Sequence, residues 1–271
     1  WGTAFIGRHD TPTKVAFYGA GTENLGDSIL DLNLGNNLAG RPSSNAPIGV
    51  FHEYRADDVL DYVSPDFSGF SFLAAFIPGE DDKESATGTR DKFADHYSVG
   101  AIYKGGGLKA SAGYAKYALK DGNTPDGFTS ADKDDYKVFQ VGASYTFSNF
   151  TIGGNYERSK DMPDGLNPDD VVDLNNNPIR SQQAGSDYDA WGVTGKYAFG
   201  NNAISAVYTS GKYDANNGND VDRGGFGIGA EHNFSKRTKI YAAYASGTQE
   251  YDANIADEDD KAFSLGMIHS F

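Results

Sequence analysis

The chain has 271 residues, and its 23 Lys and Arg against 38 Asp and Glu give a formal net charge of −15, with no cysteine. These values exclude disulfides, zinc–thiolate sites and cysteine nucleophiles, and so acidic a chain disfavours nucleic acid as a partner. The 34 glycines and the 13% of aromatic residues favour β-structure over helix.

Hydrophobic alternation is the main pattern along the chain. In residues 138–147, Phe139, Val141, Ala143, Tyr145 and Phe147 alternate with Val138, Gln140, Gly142, Ser144 and Thr146. A period of two predicts a strand with one apolar face, because a helix would need apolar residues three and four positions apart. The same pattern predicts twelve strands, at about 1–8, 49–62, 68–77, 94–104, 107–118, 136–148, 150–159, 187–199, 203–213, 224–235, 238–249 and 261–271.

The connections between these strands alternate between long and short. The long ones are 9–48, 78–93, 119–135, 160–186, 214–223 and 250–260, and the short ones are 63–67, 105–106, 149, 200–202 and 236–237. Such alternation is typical of a membrane β-barrel with long extracellular loops and short periplasmic turns. Most of the strands are close to the ~9–11 residues that a tilted strand needs to cross a bilayer. We therefore expect one domain over residues 1–271, an all-β transmembrane antiparallel β-barrel.

The last predicted strand also points to the outer membrane. It ends in Phe271, and the residues that precede it at intervals of two are His269, Met267, Leu265 and Phe263. An alternating closing strand with a terminal Phe resembles that of bacterial outer-membrane proteins. An ordinary last strand of a sheet is the alternative interpretation.

Several segments resemble one family. Residues 2–12 (GTAFIGRHDTP) are similar to the strand that leads into the constriction loop of the general diffusion porins of Gram-negative bacteria. Residues 55–70 (RADDVLDYVSPDFSGF) are similar to the strand and turn that follow this loop, although Asp58 and Val59 stand where Asn and Ser are usual. Residues 231–238 (EHNFSKRT) and the closing strand also resemble the family. The resemblance covers essentially the whole chain.

The resemblance implies an outer-membrane porin, a water-filled channel for passive diffusion of small hydrophilic solutes and ions. It implies no enzymatic activity and no cofactor, and it implies a homotrimer in contact with membrane lipid and lipopolysaccharide. The family has sixteen strands, and the matching segments begin at the fifth. We therefore expect that the natural polypeptide extends N-terminally by about four strands with their loops.

The same resemblance implies where the channel narrows. Residues 9–48 correspond to the constriction loop, and a connection this long is functional or disordered. Glu23 and Asp27 correspond to its acidic side, and Arg8 and Arg55 to wall arginines that face it. Opposed carboxylates and guanidinium groups in a narrow aqueous gap orient dipolar solutes and sort ions by charge. Residues 28–32 are predicted to form a short helix capped by Ser28 or Asp27.

Strand alternation supports one of these assignments. If Leu60 and Tyr62 face lipid, then Arg55 faces the lumen together with Asp57, Val59 and Asp61. For Arg8 and Arg55 the alternative is a strand-end ion pair with a nearby Asp, and for Glu23 and Asp27 it is a solvated loop. The excess of carboxylates predicts a weak preference for cations.

Other patterns carry less weight. Residues 214–220 resemble part of a calcium-binding loop but lack its distal Glu, so we expect a solvated loop and no metal site. Gly225, Gly227 and Ala230 match a dinucleotide-binding pattern, but they lie inside an alternating strand with no helix after it. Two alternatives to a porin remain open, a twelve-stranded outer-membrane barrel enzyme and a soluble acidic β-rich binding protein. No Ser–His–acid set stands out in support of the former.

Overall fold

The computed structural model describes residues 1–26, 28–33, 47–78, 96–117, 135–162, 186–214, 220–252 and 257–270. Over these residues the chain forms twelve β-strands and one α-helix, α1 (Pro12–Gly19). The strands are β1 (Thr3–Asp10), β2 (Arg55–Val63), β3 (Phe70–Ile77), β4 (His96–Gly105), β5 (Leu108–Tyr117), β6 (Tyr136–Phe147), β7 (Phe150–Met162), β8 (Ser186–Phe199), β9 (Asn202–Asp214), β10 (Val221–Asn233), β11 (Thr238–Tyr251) and β12 (Glu258–His269). Each predicted strand overlaps one of them, which confirms the all-β class.

The strands form a single antiparallel sheet in chain order from β1 to β12. Within the described residues, β1 and β12 are its two edges. Residues 64–69, 106–107, 148–149, 200–201 and 234–237 connect β2 to β3, β4 to β5, β6 to β7, β8 to β9 and β10 to β11. Because neighbouring strands run in opposite directions, these five short connections lie at one end of the sheet, the short-turn end. The other strand ends, where the longer connections begin and end, define the opposite, long-loop end.

One face of the sheet, the outer face, is apolar and exposed. Its exposed side chains include Leu60, Phe72, Val99, Phe139, Trp191, Ile204, Ile228 and Phe263. Near the short-turn end the rings of Tyr145, Phe147, Phe150, Tyr197 and Phe199 stack in a row, with neighbouring centroids 4.4 to 6.2 Å apart. A band of aromatic rings at one end of an apolar face is typical of a membrane interface. The outer face therefore has the character of a lipid-facing surface.

A β-bulge interrupts β2 where its ladder to β1 shifts register. Asp58 has a φ of 53° at this point, in the left-handed region that Asp tolerates better than most residues. The extra residue of a bulge reverses the in–out alternation of the strand. Even-numbered Ala56 is therefore buried before the bulge, whereas odd-numbered Asp61 is buried after it. The alternation argument that placed Arg55 and Asp57 on the lumen face is therefore wrong, since both lie on the face opposite Ala56.

The segment between β1 and β2 lies against the other face of the sheet, the inner face. We call residues 11–54 the inward segment, of which 11–26, 28–33 and 47–54 are described. Its helix α1 packs on β3 to β6. The predicted boundary of β2 is corrected here, because residues 49–54 continue the inward segment rather than begin the strand.

The helix predicted at 28–32 is also wrong, because residues 28–30 form a turn. Ser28 Oγ donates to the Leu25 carbonyl at 2.5 Å and accepts from the Leu30 N–H at 3.1 Å, so the side chain stabilises the turn in place of helical bonding. The helix lies instead at α1, where Pro12 occupies the first turn, a position that needs no backbone N–H. In the described part of the chain no helix is long and apolar enough to cross a membrane.

The main apolar core fills the space between the inward segment and the inner face. From the inward segment it takes Phe17, Leu25, Leu30, Leu32, Ile48, Val50 and Phe51, and from the sheet residues such as Tyr117, Tyr136, Tyr188, Val207 and Tyr213. Burial of these side chains removes apolar surface from water and fixes the inward segment on the sheet.

Candidate functional site

Glycines on the inner face allow α1 to approach the sheet closely. A β-carbon at Gly100 would lie 2.8 Å from the Pro12 carbonyl oxygen, and a β-carbon at Gly113 would lie 2.9 Å from Thr13 Cα. Both distances are too short for a side chain, so only glycine leaves room for the helix at these positions. These two glycines of the strands thus allow the inward segment to pack directly on the sheet.

The tip of the inward segment uses glycines in the same way. A β-carbon at Gly227 would collide with Leu30 Cδ2, and one at Gly229 would lie 2.6 Å from Leu25 Cδ1. These glycines belong to the pattern at 225–230 that resembles a dinucleotide-binding motif. The pattern lies within β10, and its small residues make space for two leucines of the inward segment.

Polar side chains of the inner face hold the backbone of the inward segment at intervals. Ser144 Oγ donates to the Ala20 carbonyl at 2.6 Å, Thr209 Oγ1 to the Ile48 carbonyl at 2.7 Å, Gln140 Nε2 to the His52 carbonyl at 2.8 Å, and the Tyr188 hydroxyl to the Val50 carbonyl. Buried carbonyl groups need such donors because they have lost water. These bonds fix the path of the inward segment across β6, β8 and β9.

The strongest of these anchors is a buried cluster around Glu157 of β7, a side chain with no exposed surface. Its carboxylate accepts the His52 backbone N–H at 2.9 Å and lies 2.5 Å from the His52 ring Nδ1. Gln140 Nε2 and Ser159 Oγ donate to the same carboxylate at 2.8 and 3.0 Å. The His52 Nε2 lies 3.2 Å from the Tyr213 hydroxyl of β9. The Glu157 carboxylate and the His52 ring together thus connect the inward segment to β6, β7 and β9.

Glu23 joins two arms of the inward segment, which are residues 11–26 and residues 28–33. Its Oε1 accepts the Leu32 N–H at 3.4 Å and the Asn33 Nδ2 at 3.1 Å. Asn33 Nδ2 also lies 3.2 Å from Asp31 Oδ1, so the two acids share one amide. Burial, reinforced by the nearby charge of Asp31, raises the pKa of Glu23 to about 9. Glu23 is therefore protonated at pH 7, where it links the two arms and carries no charge.

A chain of charged groups runs from α1 to the long-loop end of β1. The Tyr18 hydroxyl donates to Glu53 Oε2 at 2.7 Å, and Lys14 Nζ lies 3.3 Å from Glu53 Oε1 and 3.3 Å from Asp10 Oδ1. Arg55 Nε lies 3.1 Å from the same Asp10 oxygen. Burial raises the pKa of Tyr18 far above its usual range, so its hydroxyl stays protonated.

Of the four predicted constriction residues, one lies in the inward segment, one contacts it indirectly, one is exposed and one lies outside the described residues. Glu23 lies in the inward segment, and Arg55 reaches this segment through Asp10. Arg8 Nε lies 3.3 Å from Asp57 Oδ1, in an ion pair whose side chains are 67% and 70% exposed. Asp27 lies outside the described residues.

Four lysines that the sequence analysis did not name as site residues lie on the inner face near the short-turn end. They are Lys104, Lys109, Lys196 and Lys239, as the strand register shows. Lys109 extends over the inward segment, since a β-carbon at Gly21 would lie 3.0 Å from its Nζ. Lys196 and Lys239 hold Glu231 between them, with Nζ–oxygen distances of 2.7 and 3.3 Å. Alternation in residues 190–199 already places Lys196 on the polar face, which is the signal that could have found this group.

No group of three His, Asp or Glu side chains that could hold a metal ion occurs among the residues that the structure describes. The polar groups of the inner face instead bind the inward segment or one another. A sheet with an apolar outer face, an aromatic band and a polar inner face crossed by an anchored segment is the wall of a membrane channel.

Comparisons with known proteins agree with this class. A family model described as Gram-negative porin matches residues 1–266. The anion-selective porin from Comamonas acidovorans is 18% identical, has a TM-score of 0.66, and is matched over 100% of this chain and 74% of its own. The outer membrane channel DcaP of Acinetobacter baumannii is 14% identical, with a TM-score of 0.63 and coverage of 99% and 71%. In-vitro folded OmpT in its trimer form, an outer membrane protein of Vibrio cholerae, is 22% identical, with a TM-score of 0.54 and coverage of 98% and 74%.

The chain belongs to the Gram-negative porin family. It forms an outer-membrane channel for passive diffusion of small hydrophilic solutes and ions. At these low identities the solved structures establish the shared fold alone. A search of curated proteins gives no match. Neither the enzyme nor the soluble binding protein is favoured by these findings.

Proposed function

We propose that the inward segment is the constriction of the channel and that it sets the size limit for solutes. The observation that carries this proposal is its attachment to the inner face, above all through His52 and Glu157. A segment held by buried hydrogen bonds and an apolar core narrows the lumen permanently, whereas a loop without these bonds would leave the lumen open. This assignment shifts the predicted range 9–48 to residues 11–54.

The constriction also carries a transverse field. Its acidic side consists of Asp31 and Glu53, with Asp27 by resemblance and Glu23 whenever that side chain is ionised. Its basic side consists of the lysines of the inner face, of which Lys109 extends over Gly21 of the inward segment. Arg55 acts at its margin through Asp10, which also pairs with Lys14 of α1, whereas the ion pair of Arg8 with Asp57 is largely exposed.

We propose further that the barrel has sixteen strands, with its short-turn end in the periplasm. The support is the pair of sheet edges at β1 and β12, because unpaired strand edges are very costly in a bilayer. Twelve of sixteen strands are also three quarters of a barrel, close to the 74% of the Comamonas porin that is matched. A homotrimer is proposed by analogy with the trimer form of the Vibrio protein, and lipopolysaccharide is proposed as a contact of the long-loop end.

Conductance measurements on the full-length protein in planar bilayers test the constriction. Ser144, Gln140 and Thr209, three of the four side chains that donate to carbonyl groups of the inward segment, are changed to Ala, Leu and Val together. We expect a larger unit conductance and entry of larger neutral polymers than in the unaltered channel. An unchanged size limit in a correctly folded triple variant would show that the inward segment does not narrow the channel.

A further inference from the structure

A groove of about 860 Å³ lies on the outer face across β7 to β12. Its floor consists of small residues in two cross-strand pairs, Gly195 with Ala206 and Ala230 with Ala242. Its sides are large apolar residues that are exposed on the outer face, namely Phe150, Ile152, Ile204, Ile228 and Phe263. The small residues between these large side chains make a local depression.

The setting of the groove restricts what fills it. The outer face of an outer-membrane channel lies in hydrocarbon, where water is excluded and the filling molecule is apolar. A depression lined by aromatic and branched side chains suits an acyl chain, which is apolar and flexible. The aromatic row of Phe147, Phe150 and Tyr197 borders the groove toward the short-turn end, where a lipid changes from chain to headgroup.

A basic turn lies at the same end of the groove. Lys236 and Arg237, in the connection between β10 and β11, are exposed, and neither forms an ion pair with any described residue. Ala230 lies four residues before this connection and Ala242 five residues after it, which is about 13–17 Å along a strand. That separation matches the distance between a lipid headgroup and the middle of its chain. Two unpaired cations at the membrane surface of a protein with a net charge of −15 favour an anionic group.

We propose that the groove and the basic turn together bind one anionic glycerophospholipid. One acyl chain lies on the floor formed by Gly195, Ala206, Ala230 and Ala242, and the phosphate contacts Lys236 and Arg237. The site belongs to the leaflet at the short-turn end, so it rests on the proposed orientation of the barrel. It is separate from the constriction, which lies on the other face of the sheet.

Native mass spectrometry of the folded protein tests this site. The protein is incubated in detergent with equal amounts of dioleoyl phosphatidylglycerol and dioleoyl phosphatidylethanolamine, and the retained lipids are counted. We expect preferential retention of one phosphatidylglycerol. Changing Lys236 and Arg237 to Gln should reduce this preference by about fivefold for each lost charge. Ala230→Leu with Ala242→Leu should fill the groove and abolish retention of both lipids.

Ala101→Leu is the matched control, because Ala101 lies on the outer face of β4, away from the groove. It should retain lipid like the unaltered protein, and all variants should keep the channel conductance. Equal retention in the groove-filled double variant and the control would overturn the proposal. Loss of the trimer in the double variant, with lipid retention unchanged, would instead assign the groove to a second copy of the chain. Loss of lipid retention in a variant that keeps the conductance of the unaltered protein would support the lipid site and leave the proposed constriction unaffected.

Discussion

Glu157 Oε1 lies 2.5 Å from the His52 ring, although the two residues are 105 positions apart in the chain. His52 belongs to the inward segment, three residues before β2, and Glu157 points from the middle of β7. Together with the bond from the His52 backbone N–H, this contact fixes the end of the inward segment on β7. The attachment holds the end of a long connection against the inner face of the sheet.

Glu157→Leu should release residues 47–54 of the inward segment from the sheet. It leaves donors of His52, Gln140 and Ser159 buried without their acceptor, and removing one partner of such a buried group costs about 3–5 kcal/mol. The strands keep their own hydrogen-bond ladders, so the sheet should stay folded. We expect a higher unit conductance with more current noise and entry of larger neutral polymers. Ser159→Ala, which removes a single donor, should change the size limit little, and a Glu157→Leu channel with the original size limit would contradict the assignment.

The channel should change its ion preference at alkaline pH because Glu23 titrates with a pKa of about 9. Below this pH Glu23 is neutral, and above it a new negative charge enters the constriction. The reversal potential in a salt gradient should therefore move toward cation preference between pH 8 and pH 10. Glu23→Gln should remove this step and should leave the preference at pH 7 almost unchanged. A step of equal size in Glu23→Gln would assign the titration to another group.

The same titration should weaken the attachment of the inward segment. A carboxyl group whose folded pKa is raised contributes stability that is complete below its unfolded pKa, which is 4.5, and is lost as the pH rises through about 9. Proteolysis of the inward segment should thus become faster from pH 7 to pH 10 in the unaltered protein and remain constant in Glu23→Gln. Asp31→Asn removes the neighbouring like charge, so it should lower the pH at which the change occurs.

The seating of α1 should depend on the absence of a side chain at Gly113. In Gly113→Ala the new methyl group would lie 2.9 Å from Thr13 Cα, so the helix must move away from the sheet. Overpacking of this kind costs about 1–3 kcal/mol. Gly195→Ala is the matched control, because nothing lies within 4 Å of a β-carbon at that position of the sheet. Chemical denaturation should show a loss for Gly113→Ala and almost none for Gly195→Ala, and equal effects would contradict the close contact.

Local patterns in the sequence were sufficient for the strands but not for the inward segment. Alternation depends on neighbours within one strand, and it placed the two faces of β6 correctly. It failed at Arg55, because a bulge at Asp58 has no distinct pattern and reverses every side chain beyond it. The helix at Pro12–Gly19 is short and buried on much of its surface, so it lacks the amphipathic period that reveals longer helices.

The site was less predictable than the fold because its contacts join distant parts of the chain. Nothing near His52 in sequence indicates that Glu157 will meet it, and five scattered histidines gave no reason to choose this one. The lysines of the inner face were each visible as a polar residue in an alternating strand. Their grouping appears only when the register brings Lys104 beside Lys109 and sets Glu231 between Lys196 and Lys239.

The last prediction distinguishes the lysines of the inner face from the arginines that the family resemblance implies. Lys109→Gln should shift the reversal potential toward cations, because Lys109 extends over Gly21 in the inward segment. Arg8→Gln should have a smaller effect, since its ion pair with Asp57 is largely exposed to solvent and is screened by salt. Arg55→Gln should give a shift of intermediate size. Asp10 would then keep Lys14 as its one cation among the ion pairs of the described residues. Lys212→Gln, at an exposed strand end, is the control for a general change of charge. A larger shift for Arg8→Gln than for Lys109→Gln, measured at low salt in folded channels, would show that the arginines form the basic side of the constriction.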